Sequence, residues 1–243
     1  MWEDYELEIV YKDTYLVAVN KPSGMLVHKS LIDSKEIYFA MKIIRDQIGQ
    51  WVYPIHRLDK PTSGILLFAL DSETARVMSE QFLEHTIEKK YMAIVRGYIQ
   101  ETGVIDYALS VKLDKIADKH TKKKQDAQDA RTVFKRIATI ELAHAVGRYS
   151  TTRYSLVELT PSTGRKHQLR RHMKHMSHHI LGDTKYGRGE HNKMVRKYYD
   201  CNRLMLHAIS LEFLHPYTKK KVTLKASYDE TWKHFLNLFS SSK

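Results

Sequence analysis

Cysteine is almost absent from this chain: Cys201 is the only one in 243 residues. One thiol closes no internal disulfide and supplies no second ligand for a zinc ribbon, so a disulfide scaffold and a Cys-based metal site are both excluded. No run is long and apolar enough to span a bilayer. The opening Met1-Trp2-Glu3-Asp4-Tyr5-Glu6 is acidic where a secretory signal is basic and then apolar. A reducing, cytoplasmic setting is therefore expected, with no membrane partner and with Cys201 a bystander. Acidic residues are in deficit too, 28 Asp plus Glu against 40 Lys plus Arg, for a formal net charge of +12. A surplus of that size favours an anionic partner, nucleic acid once a membrane surface is set aside. There is no solenoid repeat, and low complexity is confined to Ser240-Ser241-Ser242.

What is present reads as short strands with fewer helices. Leu7 to Tyr11 and Tyr15 to Val19 flank an Asp13-Thr14 turn, and Asn20 to Gly24 form a second turn into Met25 to His28, which suggests antiparallel pairing. Helical spacing over Ser34 to Ile48 stops at Gly49, and Asp71-Ser72 offer an N-cap to a helix ending near His85. Further strands are expected at Ile65 to Leu70, Lys90 to Val95, Arg131 to Leu142, Arg153 to Leu159, Arg203 to Phe213 and Lys221 to Ala226. Helices are expected at about Arg165 to Met176 and at Asp229 to Phe239. Strands and helices do not alternate regularly, so the fold class is α+β on a mainly antiparallel mixed sheet. Residues 113–130, rich in lysine with little to bury, read as an exposed basic insertion in one catalytic domain spanning 1–243.

The chemistry-bearing segment is His56-Arg57-Leu58-Asp59-Lys60-Pro61-Thr62-Ser63-Gly64, a Pro/Gly turn that runs into an apolar strand. It is a poor core and a good mount for an acid. An isolated turn aspartate more often caps its own backbone, but two other segments are unusual in the same way. Tyr91 starts a strand beside Lys89 and Lys90, and Thr163-Gly164-Arg165-Lys166-His167-Gln168-Leu169-Arg170-Arg171-His172 opens a helix with a dense cationic cluster. Taken singly, such a tyrosine is a packing residue and such a helix a solvated face.

Together these segments resemble the RluA-type pseudouridine synthases, which isomerise uridine to pseudouridine in structured RNA. The resemblance covers almost the whole chain. It includes Asn20 to His28, the Lys90-Tyr91 strand, Gly164 to His172, Ile180-Leu181-Gly182-Asp183 with Tyr186-Gly187, and Arg203 to Pro216. It implies the family fold, with helices and loops around a central catalytic cleft. It also implies Asp59 as nucleophile, Tyr91 as the aromatic partner of the target base, and Arg170 as the cation paired with Asp59. Chemistry agrees: a guanidinium keeps an aspartate ionised and oriented, and a phenol suits stacking or proton transfer. Attack on ribose or on the uracil ring fits equally. The step needs no redox partner and no hydrolytic metal, so no cofactor is expected. Arg57 is the side chain implied to enter the helix as the base flips out, the plainer alternative being a second ion-pair partner for Asp59. His56, Arg165, Lys166 and Arg171 join it as RNA contacts. Lys122 to Lys124, Arg148, Arg153, Lys185, Arg188, Lys193, Arg196 and Lys197 extend a basic footprint for RNA backbone.

Finer similarities lie in Arg45 to Gln50, Leu113 to Lys119, Gly147-Arg148-Tyr149 with Thr151 to Tyr154, and Asp229 to Trp232. They point to the branch acting on tRNA, with uridine 65 of the T stem as the implied target and another tRNA or rRNA uridine as the alternative. The N-terminus leaves no room for a separate RNA-binding domain, so recognition is expected from the catalytic domain, as a monomer without an obligate protein partner. A non-catalytic RNA-binding protein is disfavoured by the Asp59, Tyr91 and Arg170 set. A glycosidase is disfavoured because no second acid stands near the motifs. His167, His172, His175, His178 and His179 crowd one segment, but the arginines and lysines among them would repel a dication, so a metal is not expected.

Overall fold

The computed structural model describes residues 2, 4–29, 36–110 and 126–241. In chain order the first half holds β1 (Glu8–Lys12), β2 (Leu16–Lys21), α1 (Ala40–Ile48), β3 (Tyr53–Pro54), β4 (Ser63–Ala69), α2 (Ser72–Leu83), β5 (Glu88–Arg96) and β6 (Thr102–Asp106). The remainder holds β7 (Arg131–Leu142), β8 (Thr152–Pro161), α3 (Gln168–His175), α4 (Gly189–Tyr199), β9 (Leu206–Leu214), β10 (Lys221–Lys225) and α5 (Glu230–Ser240). The chain divides into two compact units. The first comprises Met1–Lys89, Ser110–Gln128 and Ala208–Ala226, the second Lys90–Leu109, Asp129–His207 and Ser227–Lys243.

In the first unit β2 pairs antiparallel with β1 and β4, β3 lies on β4, and β10 on β9. The β1–β2 turn is set by Asp13, whose Oδ1 accepts the backbone N–H groups of Tyr15 and Leu16 at 2.7 Å each. Every residue of β4 is buried, as the unbroken apolar run Ile65 to Ala69 requires. Alternate residues Ile65, Leu67 and Ala69 meet Leu16 and Ala18 from β2, Met78 from α2 and Leu211 and Phe213 from β9 in one core. Gly64 sits at φ +111°, and a Cβ there would lie 2.2 Å from the Ala208 carbonyl oxygen. Only glycine lets the start of β4 pass that close to β9. The Asp71 carboxylate caps α2, with Oδ1 accepting from Thr74 N–H at 2.7 Å and Oδ2 from its hydroxyl at 2.6 Å, an arrangement worth about 1 kcal/mol.

In the second unit β8 pairs antiparallel with β5 and β7, and β6 with β7. Ala93, Val95, Val157 and Leu159 face Leu169 and Met173 of α3, with Phe134, Ile180 and Leu204 closing the core. Asp229 caps α5 by accepting from Trp232 N–H at 3.0 Å.

Three expectations change. Met25 to His28 form no strand: the Leu26 and Val27 carbonyls accept from the Ala40 and Met41 N–H groups at 2.8 and 3.0 Å. That segment closes the open first turn of α1, which accordingly starts at Ala40, with Glu36 to Phe39 non-helical and residues 34 and 35 outside the described ones. α3 starts at Gln168 because Gly164 to His167 form a loop, with His167 left-handed at φ 55°. β3, β6 and α4 had no expectation attached. The basic insertion, with Lys122 to Lys124, lies largely outside the described residues.

Candidate active site

Asp59, Arg57 and His56 lie on one turn of the first unit, between β3 and β4. Thr62 N–H returns to the Asp59 carbonyl at 3.0 Å, closing the turn, while Ser23 Oγ donates to the Pro61 carbonyl at 2.7 Å and Gly24 N–H to the Lys60 carbonyl at 2.9 Å. Beneath it Lys21 is fully buried, and its Nζ donates to the carbonyls of Pro22, Met25 and Lys60 at 2.8, 2.9 and 3.2 Å. An ammonium so committed ties the Asn20 to Gly24 loop to the Asp59 turn. Sequence reasoning quoted Lys21 within a motif and gave it no task. Asp59 is half-buried and Arg57 exposed. His28, held below its ordinary pKa by burial and then by the Arg57 charge, places Arg57 beside it.

His56, expected among the RNA contacts, is turned inward. Its Nε2 accepts the Leu67 N–H at 3.0 Å and its ring stacks on Phe82 at 4.8 Å between centroids. Burial, then the nearby Lys89 ammonium, pushes it down to about 3. A neutral imidazole spent on a β4 amide braces the turn and has no charge to offer a phosphate.

Tyr91, Arg170, Arg165, Lys166 and Arg171 belong to the second unit. Tyr91 is the fourth residue of β5, opposite Leu159 in register, and is half-buried against the α3 core. The loop before α3 is shaped by Gln168, whose Oε1 accepts from Arg165 N–H at 3.0 Å and from Thr163 Oγ1 at 2.7 Å. Its Nε2 donates to the Arg131 carbonyl and to Thr132 Oγ1 at 3.1 Å each. Arg165 Nε donates to the Asp129 carbonyl at 3.0 Å, Lys166 is exposed and Arg171 half-buried.

Arg170 is buried at 5 % exposure. Its Nε and Nη2 donate to Asp183 Oδ2 and Oδ1 at 2.7 and 2.9 Å, and its guanidinium lies over the Tyr186 ring at 5.2 Å. Asp183 also accepts the N–H groups of Lys185 and Tyr186, both at 2.9 Å. Burial alone would raise its pKa, but the Arg170 hydrogen bonds and charge with the two amides hold it below the usual carboxylate range. Asp183 and Tyr186 stand in a motif that by sequence gave them no role; the signal that could have found Asp183 is that it is the only acid between Glu158 and Glu190, in a stretch rich in Arg, Lys and His.

The crowded histidines each bond or stack on a neighbouring protein group. His172 bonds Thr132 Oγ1 at 3.0 Å and the Tyr107 carbonyl at 3.1 Å, His178 the Arg96 carbonyl at 2.8 Å, and His179 the Tyr186 carbonyl at 2.6 Å. His167 Nδ1 meets the Tyr186 hydroxyl at 2.9 Å, and His175 stacks on Tyr107. Among the described residues no group of three or more His, Cys, Asp or Glu is placed to hold a metal, and no helix is long and apolar enough to cross a membrane.

The chain belongs to the RNA pseudouridylate synthase family, whose model matches residues 15–175, and is thus an isomerase. It is 56 % identical over 96 % of its length to tRNA pseudouridine synthase C of Vibrio parahaemolyticus, covering 95 % of that protein. It is 58 % identical to the Haemophilus ducreyi protein of the same name, covering 96 % of each chain. Among solved structures it resembles human RNA pseudouridylate synthase domain containing 4, with TM-score 0.70, 27 % identity and coverage of 96 % and 93 % of the two chains. Human RNA pseudouridylate synthase domain containing 1 matches with TM-score 0.68 and 27 % identity, over 92 % and 84 %.

Proposed function

We propose that this protein isomerises a uridine of tRNA to pseudouridine, and that the uridine is position 65 in the T stem. The observation that carries the reading is identity above one half, over nearly the full length, with enzymes named tRNA pseudouridine synthase C. The surplus of cationic side chains fits a phosphate-rich substrate.

In this reading the N1–C1′ bond of the uridine breaks, a C5–C1′ bond forms, C5 loses a proton and N1 gains one, so nothing enters or leaves overall. Asp59 is the nucleophile, and its rigid turn holds the carboxylate in place for attack. Arg170 supplies positive charge that keeps a carboxylate ionised, and Asp183 fixes how its fork points. Tyr91 stacks on the released uracil while it turns. A base paired in a stem must first leave it, at a cost of a few kcal/mol, and the exposed Arg57 fills the gap. The reading takes 1–243 as one catalytic domain, acting as a monomer in the cytoplasm where tRNA is.

The test is a map of pseudouridine in tRNA from cells with and without this protein. Loss at position 65 alone, restored by the intact gene, is the expected result. An unchanged position 65 with loss at another tRNA or rRNA uridine would overturn the target.

A further inference from the structure

Five residues along β5 from Tyr91, about 16 Å at strand rise, Arg96 opens into a separate cavity of about 530 Å³ within the second unit. Tyr149, Thr152, Arg153, His178 and His191 line it with Arg96. It therefore draws Tyr149 and Thr151 to Arg153 from two segments that the chemistry at Asp59 leaves without a task.

The cavity is built around one guanidinium. Arg96 Nε donates to His191 Nε2 at 3.1 Å, and His191 Nδ1 meets the Tyr154 hydroxyl at 2.8 Å. An arginine can only donate, so His191 Nε2 is the acceptor and its proton resides on Nδ1, donated to the Tyr154 oxygen. Burial, then the Arg96 charge, holds His191 down at about 4, which keeps that acceptor available at neutral pH. Arg96 is thereby fixed through Nε, while its four Nη N–H donors have no protein acceptor among the described residues. Arg153, which also lines the cavity, is committed elsewhere, with Nε on Glu141 at 3.2 Å and its guanidinium over the Tyr98 ring at 5.4 Å. A half-buried cation with its fork unspent, in a cavity lined by further polar side chains, suits an oxyanion with several acceptor oxygens.

We propose that this cavity is a socket for one backbone phosphate of the RNA substrate, held by the Arg96 fork, with His191 as the positioning residue for Arg96. The proposal rests on the reading of the protein as an enzyme acting on RNA. Duplex nucleic acid presents a phosphate charge about every 1.7 Å of axis, so an RNA stem engaged at Tyr91 has phosphates at the required separation. Such a socket adds affinity and register and no chemistry.

The test compares Arg96→Gln, Arg96→Lys, His191→Phe and His191→Gln with the parent on unmodified tRNA transcript, by steady-state kinetics and by equilibrium binding over a salt series. Losing one charge-assisted phosphate contact should raise KM and Kd about tenfold, with kcat within about twofold of the parent. The slope of log affinity against log salt should fall by about 1 in Arg96→Gln. Arg96→Lys should keep the slope and lose affinity because it lacks the fork. His191→Phe should lose affinity, and His191→Gln, with an amide oxygen for Arg96 Nε, should recover it. Unchanged Kd and slope in Arg96→Gln would overturn the proposal, as would a fall in kcat matching the rise in KM. Competition by micromolar uridine monophosphate that Arg96→Gln abolishes would also overturn it, in favour of a small-nucleotide site. If the parent bound tRNA but formed no pseudouridine, the functional reading would fail, while the Kd and salt slope would still decide the socket.

Discussion

Replacing Asp183 with asparagine removes one charge and almost no volume from the most buried ion pair described in the second unit, where the side chains of Arg170 and Asp183 are 5 % and 1 % exposed. An amide oxygen can still accept the Lys185 and Tyr186 N–H groups that now reach Oδ1. What is lost is the anion facing Arg170 Nε and Nη2. Stranding one member of a buried pair costs about 3 to 5 kcal/mol, and the retained amide contacts put Asp183→Asn at the lower end, about 3 kcal/mol. For a chain of this length that is a fall in Tm of about 6 to 12 °C. The assay is chemical and thermal denaturation at pH 7, repeated with Arg170→Met and with both changes. The cycle should return a coupling of at least about 2 kcal/mol, because Asp183→Asn has little to strand once the guanidinium is gone. The pH dependence has a fixed sign. The folded pKa of Asp183 lies below its unfolded value, so its contribution is full above the unfolded pKa near 4 and disappears as pH falls through the folded value. The gap between parent and Asp183→Asn should accordingly shrink on acidification below about pH 4. An Asp183→Asn cost that is the same with and without the Arg170 guanidinium would refute the account of this clamp.

Other outcomes follow from single contacts. Arg57→Ala should slow isomerisation far more on folded tRNA than on a short single-stranded oligonucleotide carrying the same uridine, because only the stem needs the base pried out; equal slowing on both would remove the wedge role. The His56 imidazole should stay neutral, with Nε2 unprotonated, in nitrogen-detected NMR at pH 5.5, and appearance of its imidazolium there would contradict its place behind Leu67. Since its folded pKa is the lower one, its contribution to stability is full above pH 6.5 and falls by about 1.4 kcal/mol per pH unit below that, until about pH 3. Gly64→Ala should destabilise by at least about 3 kcal/mol, since the new methyl meets the Ala208 backbone and φ is positive; a loss under about 1 kcal/mol by urea denaturation would show that β4 and β9 can part there.

Much of the fold was legible because its elements carry local signals. β7 was readable from end to end, Asp71 and Asp229 announced two helix starts, and Gly49 ended a third helix with φ at +65°. Illegible elements were those whose partners lie far along the chain. Met25 to Val27 look like a strand, yet their carbonyls serve the first turn of α1. α4 buries only Met194 and Val195, so its cationic face hid its period. The proposed site residues Asp59, Tyr91, Arg170 and Arg57 were nameable from motifs, while the contacts that support them were not. Lys21 under the Asp59 turn and Asp183 behind Arg170 are long-range contacts, and His56 shares the Asp59 segment yet serves the β4 backbone.

The central claim is that the Asp59 carboxylate performs the isomerisation. The most direct measurement is tritium release from C5-labelled uridine in unmodified tRNA by Asp59→Asn, alongside its affinity for the same RNA. Asn keeps the shape of the turn, so the account predicts RNA binding within about twofold of the parent and no tritium release, because the amide cannot act as the nucleophile. Release at a rate near that of the parent would contradict it.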